Sequence, residues 1–185
     1  MEGTKILMDE HRVIERFLTT LGRAAMAAEA VKGVKPEFFL ESADFIKGFA
    51  DGCHHAKEEK VLFEAMIKAG VPREGSPVSA MLAEHEQGRA FVRAMRAGAE
   101  KWQAGDEAGR AEVVTAAKGY VQLLRAHIGK EDNILFPLAD RTISPDAQQQ
   151  VAEDFERVEH EETGEGVHEK YLGQAEKLEK ESFTN

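Results

Sequence analysis

The sequence predicts an all-α protein, an up-down-up-down four-helix bundle with an additional C-terminal helix. Three observations predict it. Apolar residues recur at spacings of three and four through four long windows, the seam of a bundle helix. Glycine and proline cluster between those windows, and no window alternates apolar and polar residues for long enough to suggest a strand. Elsewhere Ala, Glu, Lys, Arg, Leu and Met dominate, all good helix formers.

The first helix is expected from about Thr4 to Ala30, with Leu7, His11, Ile14, Leu18, Leu21 and Ala25 on its seam and Gly33 as its stop. The second starts at Pro36, a residue favoured in a first turn, and runs to about Ala69, before Gly70 and Pro72. Its inward line is Phe39, Ala43, Ile46, Ala50, His54, Glu58 and Ala65. The third has Ser76 as N-cap with Pro77 behind it, then Val78, Met81, His85, Gly88, Val92, Met95, Ala99 and Trp102 on its seam; Gly105 closes it. The fourth, from about Asp106 to Ala139, carries Val113, Ala117, Tyr120, Leu124, His127, Glu131, Ile134 and Leu138 inward. Ser144 and Pro145 open a strongly acidic fifth helix whose apolar side is Val151, Phe155 and Val158. Gly164 and Gly166 are expected to kink or interrupt it, and residues 181–185 to fray. Residues 1–140 thus read as the bundle and 141–185 as an acidic helix packing on it.

A repeat organises the chain. His54, Lys57, Glu58, Leu62 and Phe63 superpose in order on His127, Lys130, Glu131, Leu135 and Phe136. On a helix, i and i+4 lie one turn apart on one face, so each His-x-x-x-Glu aims an imidazole and a carboxylate inward together. Short connections favour antiparallel neighbours, and at ~1.5 Å per residue His11, His54, His85 and His127 lie roughly 10 to 23 Å from one end of the bundle. Helix tilt absorbs that spread, and His11, His54, Glu58, His85, His127 and Glu131 converge. Ionised carboxylates in such a core are costly unless paired or bound to metal. Lys57 and Lys130 stand one place off the seam and are expected to reach outward. Two divalent cations would offset both glutamates. Nitrogen and oxygen donors suit iron, manganese or zinc, and imidazole with carboxylate suits redox iron.

Each piece alone is weak. A single seam histidine is more often a hydrogen-bonded core residue, and one His-x-x-x-Glu is common on solvated helix faces. Two aligned copies with two further seam histidines favour a metal. His55 and Glu59 share the i, i+4 spacing but lie about 100° around the helix, where the repeat has Ile128 and Asp132; they read as groups behind the ligands, supporting them, or as surface residues. Cys53 reads as packing. Tyr120 reads as a core residue within reach of the site, and His160 and His168 as surface residues that could approach it from the side.

The net charge of −10 argues against a nucleic-acid backbone or an anionic membrane as partner. One cysteine cannot form an internal disulfide. No apolar run is long enough to span a membrane and no signal-peptide pattern opens the chain, so a cytoplasmic location is expected.

The ordered set His11, His54-x-x-x-Glu58, His85, His127-x-x-x-Glu131 resembles the hemerythrin family, specifically its bacterial hemerythrin-like (HHE cation-binding) branch. The resemblance covers the four bundle helices. It implies a non-haem di-iron centre with Glu58 and Glu131 bridging and the four histidines as terminal ligands. It also implies a protein that binds or reacts with O2, NO or peroxide, or else a module that senses metal or oxygen, or handles iron, without turnover. The chain departs from the oxygen carriers of the family. The residue four after His85 is Arg89, where they have a second histidine, and Glu131 replaces an aspartate. With four histidines, one iron is left open or water-filled, or takes His160. Simple reversible O2 storage becomes the less favoured reading. Two other classes fit poorly. A ferritin-like oxidase needs Glu-x-x-His on two helices, and only Glu165 to His168 offers it; a His-Asp phosphohydrolase needs a dipeptide that is absent.

Overall fold

The structure, a computed structural model, describes residues 1–160, 164, 166–181 and 183. Six helices follow one another. They are α1 (Glu2–Glu29), α2 (residues 36–68), α3 (Pro77–Gln103), α4 (residues 108–142), α5 (Pro145–Val158) and α6 (Val167–Glu179). Two of them change character along their length. α2 is α-helical over Pro36–Phe45, π-helical over Ile46–His55 and Glu58–Leu62, and α-helical again over Phe63–Lys68. α4 is α-helical over Ala108–Lys130, π-helical over Glu131–Leu135 and α-helical over Phe136–Thr142. Pro137 gives a local cause for the last switch, since it has no N–H to donate back along an α-helical ladder. The wider turn also shifts the phase of the seam. Ile134, expected to face inward, is 55% exposed, while Leu135 and Phe136 are buried.

The core is split in two. One apolar cluster contains Ile14, Phe17, Phe45, Phe49, Met95 and Leu124; the other contains Leu7, Leu62, Phe63, Met81, Leu135 and Phe136. α1 runs from the second cluster to the first, α2 returns, α3 repeats the path of α1 and α4 that of α2. That is the up-down-up-down bundle. Each fully buried Phe or Leu contributes about 1.5–3 kcal/mol to holding it together. The interval between the clusters is occupied by buried histidines and glutamates.

α1 starts two residues earlier than its sequence suggests, because its first turn is tied to the end of α4. The Met1 ammonium lies 2.9 Å from Asp140 Oδ1, and Thr4 Oγ1 donates to the same carboxylate at 2.9 Å. The expected fifth helix is two. Gly166, at φ +75°, caps the start of α6 in a conformation that suits glycine. Val151, Phe155 and Val158 of α5 join one core cluster, and Ala175 and Leu178 of α6 join the other. The Tyr171 ring fills the space over Gly48, where a Cβ would come within 1.8 Å of it. Of the residues expected to fray, 182, 184 and 185 lie outside the described residues, but Phe183 packs edge-on against Phe38 with ring centroids 5.0 Å apart. Among the described residues no helix is long and apolar enough to cross a membrane.

Candidate metal centre

The four residues of the repeated His-x-x-x-Glu and the two seam histidines, His11 and His85, meet in the layer between the two core clusters, and all six are buried. Ligand atoms of His11, His54, Glu58 and Glu131 lie within 4.8 Å of one another, and so do those of His55, Glu58, His85 and His127. Glu58 belongs to both groups, and Glu131 reaches from the first to His127 of the second. Glu58 turns Oε1 to His54 Nε2 and Oε2 to His85 Nε2, each at 3.5 Å. Glu131 turns Oε2 to His11 Nε2 and Oε1 to His127 Nε2, each at 3.2 Å. His85 Nε2 and His127 Nε2 are 3.0 Å apart. Donors bonded at 2.0–2.1 Å to one octahedral cation stand about 3 Å from each other, so these spacings are those of neighbours around a metal.

Around this centre lies a collar of acids. His11 Nδ1 bonds Asp132 at 2.7 Å, His54 Nδ1 bonds Glu10 at 2.9 Å, His85 Nδ1 bonds Glu59 at 2.7 Å and His127 Nδ1 bonds Glu84 at 2.9 Å. Each carboxylate accepts the Nδ1 proton, which fixes the ring and leaves Nε2 facing inward. Metal-ligating histidines are usually held this way. Outside the collar stands a ring of cations. Lys57 holds Glu10 at 2.5 Å, Arg89 holds Glu59 at 2.7 Å, Arg12 holds Asp132 and Lys130 holds Glu84. Lys57 was expected to reach outward. It is 1% exposed, turned in between Glu10 and Glu159 by the acids α1 and α5 bring against it.

His55 is the residue that sequence spacing misplaces. It is buried, stacked on His85 with centroids 3.8 Å apart, edge-on to His127, and its Nδ1 lies 3.4 Å from Asp51. A π-helix, with i→i+5 hydrogen bonds, separates neighbouring side chains by less than the ~100° of an α-helix. The π-helical stretch Ile46–His55 therefore lets His54 and His55 both face the interior. A fifth imidazole is present without a second histidine on the third bundle helix. Arg89, which stands in that place, points to Asp51, Glu59 and Glu86 instead.

The collar had a signal in the sequence. Glu10-His11 recurs as Glu84-His85, and Glu58-Glu59 as Glu131-Asp132, so the repeat extends beyond His-x-x-x-Glu and relates α1–α2 to α3–α4 by a pseudo-two-fold. Tyr120 is buried near the centre, but its hydroxyl has no hydrogen-bond partner among the described residues. His160 is exposed at the end of α5 and joins neither group, and the Glu-x-x-His beginning at Glu165 starts outside the described residues.

Both oxygens of Glu58, both of Glu131 and His11 Nε2 are buried without a hydrogen-bond partner among the described residues. Burial lifts the Glu58 carboxyl well above the usual range, and the neighbouring Glu131 adds to it. Burial also opposes ionisation of Glu131, but the imidazoles of His11 and His127 facing it at 3.2 Å outweigh it and hold that carboxyl well below the usual range. Burial lowers His54 to about 4 against the pull of Glu10, so its ring is neutral and free to ligate. His55 and His85 are lowered by burial as well. Orphaned acid oxygens facing inward-turned ring nitrogens fit a pair of cations, which would give each oxygen the partner the protein withholds.

Residues 2–139 match the family model of the hemerythrin HHE cation-binding domain. Two uncharacterized proteins, of Mycobacterium tuberculosis and Mycobacterium bovis, are each 26% identical over 159 residues. The match takes in 86% of this chain, which spans 62% of the length of these curated relatives. No solved structure matches the chain.

Proposed function

Because the chain belongs to the hemerythrin HHE cation-binding family, we propose that its buried centre holds two iron ions and that the protein binds or reacts there with O2, NO or peroxide. One observation carries the reading: Glu58 and Glu131 each turn one oxygen to an imidazole of one pair and the other oxygen to an imidazole of the opposite pair. His11 and His54 would hold one ion and His85 and His127 the other, with both carboxylates shared. His55 would add a third imidazole to the second ion. Its counterpart in the repeat is Ile128, which has no donor to offer the first. The asymmetry leaves room for a small external ligand on the His11 and His54 side. Bound iron would supply the redox and Lewis-acid chemistry that such ligands need. The chain's own part is to fix the rings through Asp132, Glu10, Glu59, Glu84 and Asp51, and to keep water out between two apolar clusters.

Metal analysis of the purified chain, after anaerobic loading, tests this. Two equivalents of iron are expected, lost in Glu58→Ala and in Glu131→Ala. In His55→Ala the second ion alone should bind more weakly, by at least the roughly 10- to 100-fold that losing a mere supporting group costs a metal site. Absorption spectra of the reduced protein should change on exposure to O2 or NO. Zinc or manganese retained in place of iron, or full iron retention in both glutamate variants, would overturn the reading.

A further inference from the structure

Beside the centre, between α2, α3 and α4, lies a cavity of about 330 Å³. Pockets that hold small organic molecules run from about 300 to 1,000 Å³, so this one is far larger than a diatomic requires. Ile46 and Val92 give it apolar walls. The buried residues His55 and Tyr120 form its inner end, and the exposed Lys47 and Arg93 stand at its mouth.

The charges there are unequal. Four cations line the cavity, Lys47, Arg89, Arg93 and Arg96, against the single anion Asp51, in a chain whose net charge is −10. Two of the four are already neutralised: Arg89 by Asp51 and Glu59 at 2.7 Å, and Arg96 by Asp44. Lys47 and Arg93 form no ion pair among the described residues, and their charges face the opening. At the other end the wall includes Tyr120, whose hydroxyl is sealed from the cavity, and the one carboxylate, Asp51, is already taken up by Arg89.

We propose that this cavity binds an amphipathic organic anion. Its acid head is held by Lys47 and Arg93, and its short apolar body lies along Ile46 and Val92 toward the inner end. The molecule would then lie against His55. This assignment rests on the two-iron reading only for what the bound molecule would touch; the binding itself is a property of the cavity.

Calorimetric titration of the iron-loaded full chain with octanoate tests it, with octanol and octylamine as parallel arms and iron content read on every sample. Saturable binding is expected for octanoate, weaker binding for octanol, and none for octylamine. Lys47→Glu with Arg93→Glu should weaken binding about tenfold with iron retained. Gly88→Leu fills the wall beside the Tyr120 ring, where a Cβ would stand 3.6 Å from Cε2, and should abolish binding. Absence of saturable binding, equal binding of octylamine, or unchanged affinity in the double charge reversal would overturn the proposal. A chain that binds the acid but holds no iron would instead sink the two-iron reading and leave this one standing.

Discussion

Lys57 and Lys130 occupy equivalent places in the repeat and do equivalent work, each holding the carboxylate that holds a histidine, yet their surroundings differ. Lys57 is 1% exposed and sits between Glu10 and Glu159, whereas Lys130 is 40% exposed beside Glu84. Removing one partner of a buried pair strands a charge, at about 3–5 kcal/mol, while an exposed pair is worth at most about 1 kcal/mol. Lys57→Met should therefore destabilise the chain by about 3 kcal/mol, and Lys130→Met by about 1 kcal/mol or less. Urea unfolding of both variants compares them directly; equal losses would mean that Lys57 is not shielded by α5. The same contrast shows what single residues reveal before folding. That His54 with Glu58, and His127 with Glu131, turn to one interior layer was legible, because i and i+4 share a face in either copy. The direction of Lys57 was not, since it depends on Glu159, which only the packing of α5 brings across.

Between elements, the closest approach of α3 and α4 is set by two glycines. A Cβ on Gly109 would come 2.4 Å from the Gly98 carbonyl oxygen and 2.6 Å from the Trp102 nitrogen, both backbone atoms that cannot rotate away. Gly109→Ala must push the helices apart and should cost about 1–3 kcal/mol, as overpacking does. Gly129, on the same helix, has nothing within 4 Å of such a Cβ. Gly129→Ala should stabilise by about 0.5–1 kcal/mol through helix propensity alone. Opposite shifts in thermal midpoint are expected; a loss of stability at Gly129 would show that α4 needs its freedom there. Helix existence and order were legible in the same way, from seams and stops. What the seam could not show was the change of period. A template of 3.6 residues per turn puts His55 off the face and Ile134 on it. The π-helical stretches reverse both, because the cost of a widened turn is recovered only when the buried layer is in place.

At the scale of the whole molecule, the metal-free chain stores protons where the pseudo-two-fold would place cations. Burial, and then the nearness of Glu131, keeps Glu58 protonated well above the usual carboxyl range. Burial disfavours charge on His11 and His127, but bonds to Asp132 and Glu131 in the first case, and to Glu131 and Glu84 in the second, raise both rings above the ordinary imidazole value of 6.5. A group with a raised value keeps its proton at a pH where it would otherwise lose it, so at pH 6 both rings are charged, and Glu58 keeps its proton above the ordinary carboxyl range. Ligation needs neutral imidazole and ionised carboxylate, and metal uptake at that pH must expel up to three protons. Affinity should then fall as pH falls through the raised imidazole values, steeply because more than one proton competes. Titrating the metal-free chain with ferrous iron in two buffers of different ionisation enthalpy measures the number released. A count near zero would mean that the centre is already deprotonated and that the acid collar, not the metal, satisfies it. The same competition links stability to loading: a metal at 100 times its dissociation constant adds about 2.7 kcal/mol to the folded state. Chelation at pH 7 should accordingly lower the thermal midpoint, and at pH 5, where protons already occupy the layer, it should lower it less.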